Sequence, residues 1–292
     1  MNALLEEILK KTPVIIDGAW GTQIQRRGLE AGDCPDAWNL THPSEVEQVA
    51  RSYVEAGSRI ILTNTFGASR IMLERHGLER MAREINRAGA AISRKAVADK
   101  AYVFGSIGPS GRLLMMGETT EEELSTAFTE QAMALAEGGA HGIVVETMSD
   151  LTEAKLAVVA ARKTGLPVVA SMVYDSGKEY DRTMMGTTPE QAAQELAEAG
   201  ADVIGANCGL GIEYFSVVCK RLLAATSLPV WIKPNAGLPE VIEGKVVYHT
   251  TPEQFAAHAV NIRDGGAQFI GGCCGTNPEF IRALVQSLAV NR

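Results

Sequence analysis

The chain repeats one pattern of hydrophobic and polar positions. A helix-like stretch ends in a small-residue turn and leads into a short β-branched run in EAGSRIILTNT (55–65), EGGAHGIVVET (137–147), EAGADVIGANC (198–208) and DGGAQFIGGCC (264–274). In each segment, glycine stands where the C-terminus of a helix favours a left-handed residue. The runs that follow are continuously apolar, which is typical of strands buried on both faces. The recurrence indicates a repeated β–α architecture.

Counting these apolar runs predicts eight strands that alternate with eight helices. The predicted strands cover residues 14–19, 59–65, 103–108, 142–147, 167–174, 203–208, 230–235 and 269–273. The predicted helices cover residues 43–56, 79–99, 121–137, 151–164, 189–199, 213–225, 252–264 and 278–289. This alternation predicts an α/β protein with a (β/α)₈ barrel as a single domain over residues 1–292; a doubly wound open sheet is the alternative.

The composition is that of an acidic globular chain. Of its 292 residues, 46% are hydrophobic and 21% are charged, and the net charge is −8. Proteins that bind nucleic acid normally show a basic patch or stripe, and none is visible. The N-terminal segment lacks the basic region and apolar run of a signal peptide, and no apolar stretch approaches the roughly 20 residues of a membrane helix. These features predict a cytoplasmic protein that contacts neither nucleic acid nor membranes.

Three of the five cysteines stand at predicted strand ends. Cys208 ends the sixth predicted strand, and Cys273 and Cys274 lie at the end of the eighth. Sites in barrels form at the C-terminal ends of the strands, and only the seventh strand separates these two, so we expect the three thiols to converge. Zinc favours tetrahedral thiolate or imidazole ligands, and a catalytic zinc keeps one position open. These cysteines are therefore predicted to bind zinc, against the alternative of small buried side chains.

The neighbouring residues bear on this metal site. Adjacent residues in a strand face opposite ways, so Cys273 and Cys274 reach one metal only where the backbone leaves strand geometry. Gly271, Gly272 and Gly275 are expected to supply that freedom. No two of the five histidines have ligand spacing on one helix, which favours an all-sulfur site.

Two carboxylates follow apolar strand residues. Glu146 comes after Ile-Val-Val, and Asp17 comes after Val-Ile-Ile. Buried carboxylates need partners, so both are expected to bind a substrate ammonium or another cation. Capping or anchoring of a loop is the alternative interpretation.

The other sulfur-containing residues give weaker indications. Cys34 in a loop and Cys219 in a helix are interpreted as ordinary side chains. Two predicted loops carry paired methionines, Met115-Met116 and Met184-Met185. Core packing or loop anchoring is the favoured interpretation of these pairs. A soft surface on which a methyl-donor molecule or protein docks is the alternative.

Several short motifs together resemble those of the homocysteine S-methyltransferase family. They are DGAWGT (17–22), TNTF (63–66), GPSG (108–111), ET (146–147), DRTMMG (181–186), NCG (207–209), PNAG (234–237) and GGCCGT (271–276). The family includes the homocysteine-binding domain of cobalamin-dependent methionine synthase, betaine–homocysteine methyltransferase and enzymes that use S-methylmethionine. The similarity extends over essentially the whole chain, and the NC and GGCCGT motifs are its most specific part.

The resemblance implies a (β/α)₈ barrel whose zinc is bound by the three cysteines singled out above. It implies that Glu146 and Asp17 hold the amino-acid end of homocysteine, and that the backbone around Trp20 and Gly21 meets its carboxylate. Asn207, in the NCG motif, is a further candidate for substrate binding.

The implied reaction is a zinc-dependent transfer of a methyl group to the thiol of homocysteine, which gives methionine. The chain has no D-x-H-x-x-G segment of the cobalamin-binding type, so the donor is expected from outside. It would be a separate methyl-corrinoid protein, S-methylmethionine, S-adenosylmethionine or a betaine. Methylation of another thiol or a selenol, a zinc-dependent barrel hydrolase or lyase, and a non-catalytic protein that binds zinc or thiols are the alternatives.

Overall fold

The computed structural model describes residues 2–30, 32–242 and 245–288, which contain a parallel β-barrel. The strands are β1 (Val14–Ile15), β2 (Ile60–Leu62), β3 (Tyr102–Ile107), β4 (Gly142–Met148), β5 (Val168–Met172), β6 (Val203–Cys208), β7 (Val230–Pro234), β8 (Glu240–Ile242), β9 (Lys245–Val247) and β10 (Phe269–Ile270). Eight of them form one sheet in the order β1, β10, β7, β6, β5, β4, β3, β2. A parallel bridge between Ile16 and Ile60 joins β1 to β2 and closes the ring. The predicted (β/α)₈ barrel is confirmed, and the doubly wound alternative is wrong.

Helices connect the strands and surround the barrel. They are α1 (Ala3–Leu9), α2 (Trp20–Gln25), α3 (Trp38–Thr41), α4 (Pro43–Ala56), α5 (Arg70–Leu73), α6 (Ala82–Val97), α7 (Glu121–Glu137), α8 (Leu151–Arg162), α9 (Pro189–Glu198), α10 (Phe215–Ala225), α11 (Pro252–Asp264) and α12 (Pro278–Leu288). Helices α4, α7 and α11 begin and end where predicted. Helix α12 is described to Leu288, and Ala289, its predicted last residue, lies outside the described residues.

The glycines of the repeated segments end helices as predicted. Gly57, Gly139, Gly200 and Gly266 have φ angles from 90° to 111°, a conformation that side chains with a Cβ rarely adopt. Each turn reverses the chain between a helix and the strand that follows. The helix-to-strand pattern in the sequence therefore reflects a backbone requirement at four places around the barrel.

The core has two layers because successive strand residues face opposite ways. Outward-facing residues such as Val145 and Ile232 pack against the helices. Inward-facing residues such as Val144 and Trp231 fill the barrel. The buried rings of Phe104 and Phe269 both pack against Trp231. Helix α1, which the sequence did not predict, adds Leu5 to this inner cluster and covers the N-terminal ends of the strands.

The long predicted loop over residues 236–250 contains structure of its own. Strands β8 and β9 form an antiparallel hairpin in which Glu240 pairs with Val247. Both strands have three residues, and the described side chains of β8 and Val246 of β9 are exposed, while Val247 is half-buried. The hairpin therefore lacks the buried apolar run that identifies the barrel strands. Among the described residues, no helix is long and apolar enough to cross a membrane.

Candidate metal and substrate site

Three thiols meet at the C-terminal ends of the barrel strands. The Sγ atoms of Cys208, Cys273 and Cys274 all lie within 4.8 Å of one another, and each side chain is half-buried. Cys208 is the last residue of β6, and the other two lie three and four residues after the end of β10. The structure therefore brings together the cysteines that the sequence predicts to converge.

The backbone at Cys208 turns its side chain out of the strand direction. Its φ angle is +65°, and Gly209 follows at +70°. The Asn235 side chain holds this turn, because its Nδ2 donates to the carbonyl of Gly209 at 2.6 Å. A left-handed residue other than glycine is uncommon and clusters at functional sites.

The glycines near the cysteine pair act in two ways. Gly275 has a φ of +83°, and its lack of a side chain leaves room for the ring of Tyr248. A Cβ at this position would lie 2.4 Å from that ring. Gly271 and Gly272 do not have positive φ angles. A Cβ on Gly271 would lie 2.8 Å from the carbonyl oxygen of Asp17. The predicted conformational freedom is used at Gly275, whereas Gly271 lets the chain approach β1 closely.

The three thiols hold their protons unequally. Hydrogen bonds from Cys273 and Cys274 lower the pKa of Cys208, while the bond to Cys208 raises the pKa of Cys273. The pKa of Cys274 is also raised by its bonds to the other two thiols. Burial and mutual proximity thus oppose the ionisation of all three thiols together. Full deprotonation needs a cation, and soft sulfur ligands suit a soft or borderline metal ion. The cluster can bind such a metal.

A cavity of about 470 Å³ opens beside the cysteine cluster. This volume falls within the range of small-molecule sites, about 300–1,000 Å³. Its wall comes from the loops after the strands and includes Gly18, Ala19, Trp20, Gly21, Thr22, Cys34, Pro35, Asp36, Leu62, Thr63, Asn64, Thr65, Phe66, Gly67, Met72, His76, Ser106, Glu146, Thr147, Cys208, Lys233, Cys273 and Cys274. Trp20, Gly21 and Glu146, which the sequence predicts to bind substrate, all line this cavity.

Glu146 presents a buried carboxylate to the cavity. It is 5% exposed, and its Oε1 accepts a hydrogen bond of 2.5 Å from Ser106 Oγ. Burial raises the pKa of Glu146 to about 7, although the charge of Lys233 opposes the shift. A cationic group in the cavity would stabilise the ionised form of this carboxylate.

Asp17 is fully buried, and it is not among the residues that line the cavity. Its Oδ2 accepts hydrogen bonds of 2.7 Å from both Trp20 Nε1 and the backbone nitrogen of Leu62. Its Oδ1 lies 3.1 Å from Lys233 Nζ. In this arrangement Asp17 contacts three residues of the cavity wall, and its direct contact with substrate stays a prediction.

Asn207 is also fully buried and does not line the cavity. Its Oδ1 accepts from the backbone nitrogen of Thr147 at 2.8 Å and from Ser171 Oγ at 2.7 Å, while its Nδ2 donates to Thr147 Oγ1. Thr147 has a φ of +61° and lies where the register of β4 shifts. Asn207 thus stabilises the irregular end of the strand that carries Glu146, and its predicted substrate contact is untested.

Sequence reasoning assigned no role to three residues of the cavity wall. Lys233 is a charged residue at the end of an apolar strand, the same signal that identified Glu146. Cys34 is 9% exposed, and its thiol lies 3.9 Å from Asp36 Oδ2. Burial raises the pKa of Asp36 to about 7. Neither Cys34 nor Asp36 follows a predicted strand, so no pattern indicated their position.

The methionine-bearing loops are exposed. Met115, Met116 and Met184 are 71%, 67% and 63% exposed, so core packing is wrong for them, whereas the favoured interpretation's other part, loop anchoring, stays a prediction. Cys219 lies in α10 and is buried, as its interpretation as an ordinary side chain predicts.

A parallel barrel with three clustered thiols at the C-terminal ends of its strands defines a class of candidate metal-binding barrel proteins. A family model described as "Homocysteine S-methyltransferase" matches residues 14–288. The chain belongs to the homocysteine S-methyltransferase family, which confirms the family that its motifs predict.

Individual relatives agree with this assignment. The chain is 34% identical to a methionine synthase of Mycobacterium tuberculosis and 33% identical to one of Mycobacterium leprae, with 98% of the chain aligned in each case. It spans about a quarter of the length of these relatives, since the alignments cover 25% of each.

Solved structures share the fold. The metallated form of the homocysteine methyltransferase MmuM from Escherichia coli matches with a TM-score of 0.80 at 24% identity, covering 97% of this chain and 98% of that one. The oxidized form of the same protein matches with a TM-score of 0.80 at 23% identity, covering 98% and 99%. At these identities the likeness concerns the barrel itself.

Proposed function

We propose that this protein transfers a methyl group from an external donor to the thiol of homocysteine, with zinc bound by Cys208, Cys273 and Cys274. The observation that carries the proposal is the cluster of three thiols in the wall of a cavity that also presents Glu146. Family membership supports the same reaction. We also propose that residues 1–292 form a single domain.

The donor set suits zinc. Three cysteine ligands leave one tetrahedral position open, as catalytic zinc sites require. When bound, the ion supplies a Lewis acid that favours the deprotonated, nucleophilic form of an added thiol. Three cysteinates carry more negative charge than a zinc ion neutralises. They would therefore keep an added sulfur electron-rich, and so able to attack an activated methyl group.

The cavity wall supplies groups that would orient the acceptor. Glu146 offers a carboxylate to the ammonium of homocysteine, and that ammonium would keep Glu146 ionised despite its burial. Trp20 and Gly21 lie at the start of α2, where backbone nitrogens without helical partners suit a carboxylate. Asp17 and Asn207 do not line the cavity, and we assign them the role of positioning residues that do. They hold Trp20 and the end of β4 in place.

The donor that we place first is a methyl group carried by a separate corrinoid protein. The exposed methionines at positions 115, 116 and 184 support this choice, because such side chains make adaptable docking surfaces. S-methylmethionine, S-adenosylmethionine and betaine are the small-molecule alternatives that the same assay separates.

The test is a methyl-transfer assay on the zinc-loaded protein with homocysteine as acceptor. A methylated corrinoid protein, methylcobalamin, S-methylmethionine, S-adenosylmethionine and glycine betaine are supplied in turn, and methionine is measured. We expect methionine from one donor class and none from protein stripped of metal. Failure with every donor, together with no binding of homocysteine, would contradict the proposal. Turnover of another thiol or a selenol alone would reassign the acceptor.

A further inference from the structure

Lys233 is a buried cation in the cavity wall. It lies in β7 and is 3% exposed. Its Nζ donates to Gly18 O at 3.4 Å and lies 3.1 Å from Asp17 Oδ1. Burial alone would lower the pKa of Lys233, but the charges of Asp17 and Glu146 outweigh it and raise the pKa. The side chain therefore stays positively charged through the neutral range.

The hydrogen-bonding capacity of this ammonium is not exhausted. An ammonium has three N–H donors. Among the residues that the structure describes, Gly18 O accepts a hydrogen bond from it, and Asp17 Oδ1 lies beside it as an ion-pair partner. A third donor remains on a side chain that is almost wholly buried and that lines the cavity. A buried charged group favours a further partner strongly, because an unmet donor in low dielectric is costly.

The charges around the cavity are few and opposed. Lys233 is the one lysine or arginine among the described residues of its wall, and the carboxylates there are Asp36 and Glu146. Glu146 and Lys233 occupy equivalent places, since each comes two residues after an inward-facing apolar side chain of its strand, Val144 and Trp231. A ligand that carries both charges on one carbon would match this pair of groups.

We propose that Lys233 determines acceptor specificity by pairing with the carboxylate of the thiol substrate, while Glu146 pairs with its ammonium. This inference rests on the proposed function and adds to it a cation that the sequence motifs do not include. Asp17 then acts through Lys233, because its Oδ1 holds the ammonium in the wall.

The experiment compares homocysteine with two truncated thiols on the zinc-loaded protein. One is 3-aminopropanethiol, which lacks the carboxylate, and the other is 4-mercaptobutanoate, which lacks the ammonium. Dissociation constants are measured by calorimetry for the wild type and for Lys233→Met. We expect the variant to bind homocysteine and 4-mercaptobutanoate at least about 30-fold more weakly, the lower end of the scale for a truncated buried charge pair. Binding of 3-aminopropanethiol should change less than about 3-fold, the range within which independent effects add.

Glu146→Gln provides the mirror-image measurement. It should weaken homocysteine and 3-aminopropanethiol while leaving 4-mercaptobutanoate nearly unchanged. Lys163→Met, on an exposed lysine at the end of α8, should affect none of the three thiols. Zinc content is measured on every variant, so that loss of metal is separated from loss of the carboxylate contact.

Lys233→Met leaves Asp17 buried without its cation, which could unfold the protein. Two further variants keep the test decisive. Lys233→Arg retains the charge and should retain discrimination between homocysteine and 3-aminopropanethiol. Lys233→Met combined with Asp17→Asn removes both charges and should lose that discrimination.

Two results would overturn the assignment. An equal loss for all three thiols would make Lys233 a purely structural residue. Tighter binding of homocysteine by Lys233→Met would mean that the lysine repels the substrate ammonium. If instead the wild type neither binds nor methylates homocysteine, the proposed function itself fails and the inference fails with it.

Discussion

The barrel interior has two halves: a lower half toward the N-terminal ends of the strands and an upper half toward their C-terminal ends. Apolar side chains fill the lower half, whereas the upper half, two residues further along the same strands, carries charged, polar and thiol side chains. On β7 the inward-facing residues are Trp231 and then Lys233, and on β4 they are Val144 and then Glu146. The change repeats around the ring in the pairs Phe104 and Ser106, and Val169 and Ser171. After β10 the spacing is longer, because Cys273 comes four residues after Phe269.

The difference between the two halves follows from what closes each end. Helix α1 covers the lower end with Leu5 and Ile8, both fully buried, so only apolar side chains are stable there. The upper end opens to a cavity of about 470 Å³, and polar side chains there can exchange protein partners for a ligand. Residues with the same orientation on the same strand thus fill the apolar core at one end and lie at or beside the cavity at the other.

The sharpest way to break this comparison is to remove one thiol from the upper end. Cys208→Ala should abolish stoichiometric zinc binding and reduce methyl transfer by about 10³-fold or more, as for loss of one part of a catalytic unit. Metal content by atomic absorption and the methyl-transfer rate measure both effects. Cys219→Ala, which removes a cysteine buried in α10, should retain zinc. Stoichiometric metal in the Cys208→Ala, Cys273→Ala and Cys274→Ala variants alike would contradict the site.

The parts of the molecule that the sequence predicted share one property, a strong local signal. Buried parallel strands are continuous apolar runs, and helix ends need glycine at positive φ, so both appear directly in the chain. Convergence of Cys208 with the Cys273-Cys274 pair followed from strand order, because a barrel brings every strand's C-terminal end to one rim.

The parts that were missed depend on tertiary contacts. Asp17 and Glu146 carry the same sequence signal, yet Asp17 is tied to Trp20 and Leu62 behind the wall while Glu146 faces the cavity. That distinction depends on which hydrogen-bond donors of neighbouring strands and loops each carboxylate contacts in the folded barrel. Lys233 carried the same signal as the carboxylates, and its role required the position of Asp17 to be known.

A milder test exchanges a large side chain of the lower half. Trp231→Ala should lower the free energy of unfolding by about 3–5 kcal/mol, because it opens a cavity among Phe104 and Phe269. Urea denaturation measures the loss, and the folded variant should still bind one zinc. Val241→Ala, on the exposed hairpin, should change stability by about 0.5 kcal/mol or less. Loss of zinc with unchanged stability would reverse the division between the two halves.

The smallest expected effect concerns the charge of Glu146, and it depends on pH. Burial raises the pKa of this carboxyl from 4.5 to about 7 in the folded protein, so folding favours its protonated form. The wild type therefore loses stability relative to Glu146→Gln as pH rises from 4.5 to 7, and the full difference is present above 7. We expect Glu146→Gln to be more stable by about 1–3 kcal/mol at about pH 8.

Urea denaturation of metal-free protein across this pH range measures that difference. The difference should vanish below about pH 3.5, where the carboxyl is protonated in both states. Glu253→Gln, on an exposed residue of α11, should show no such trend. A stability difference independent of pH would mean that Glu146 is not held neutral by burial. The expected gain in stability, together with weaker homocysteine binding, would show that the upper half gives up stability for recognition, which the apolar lower half does not.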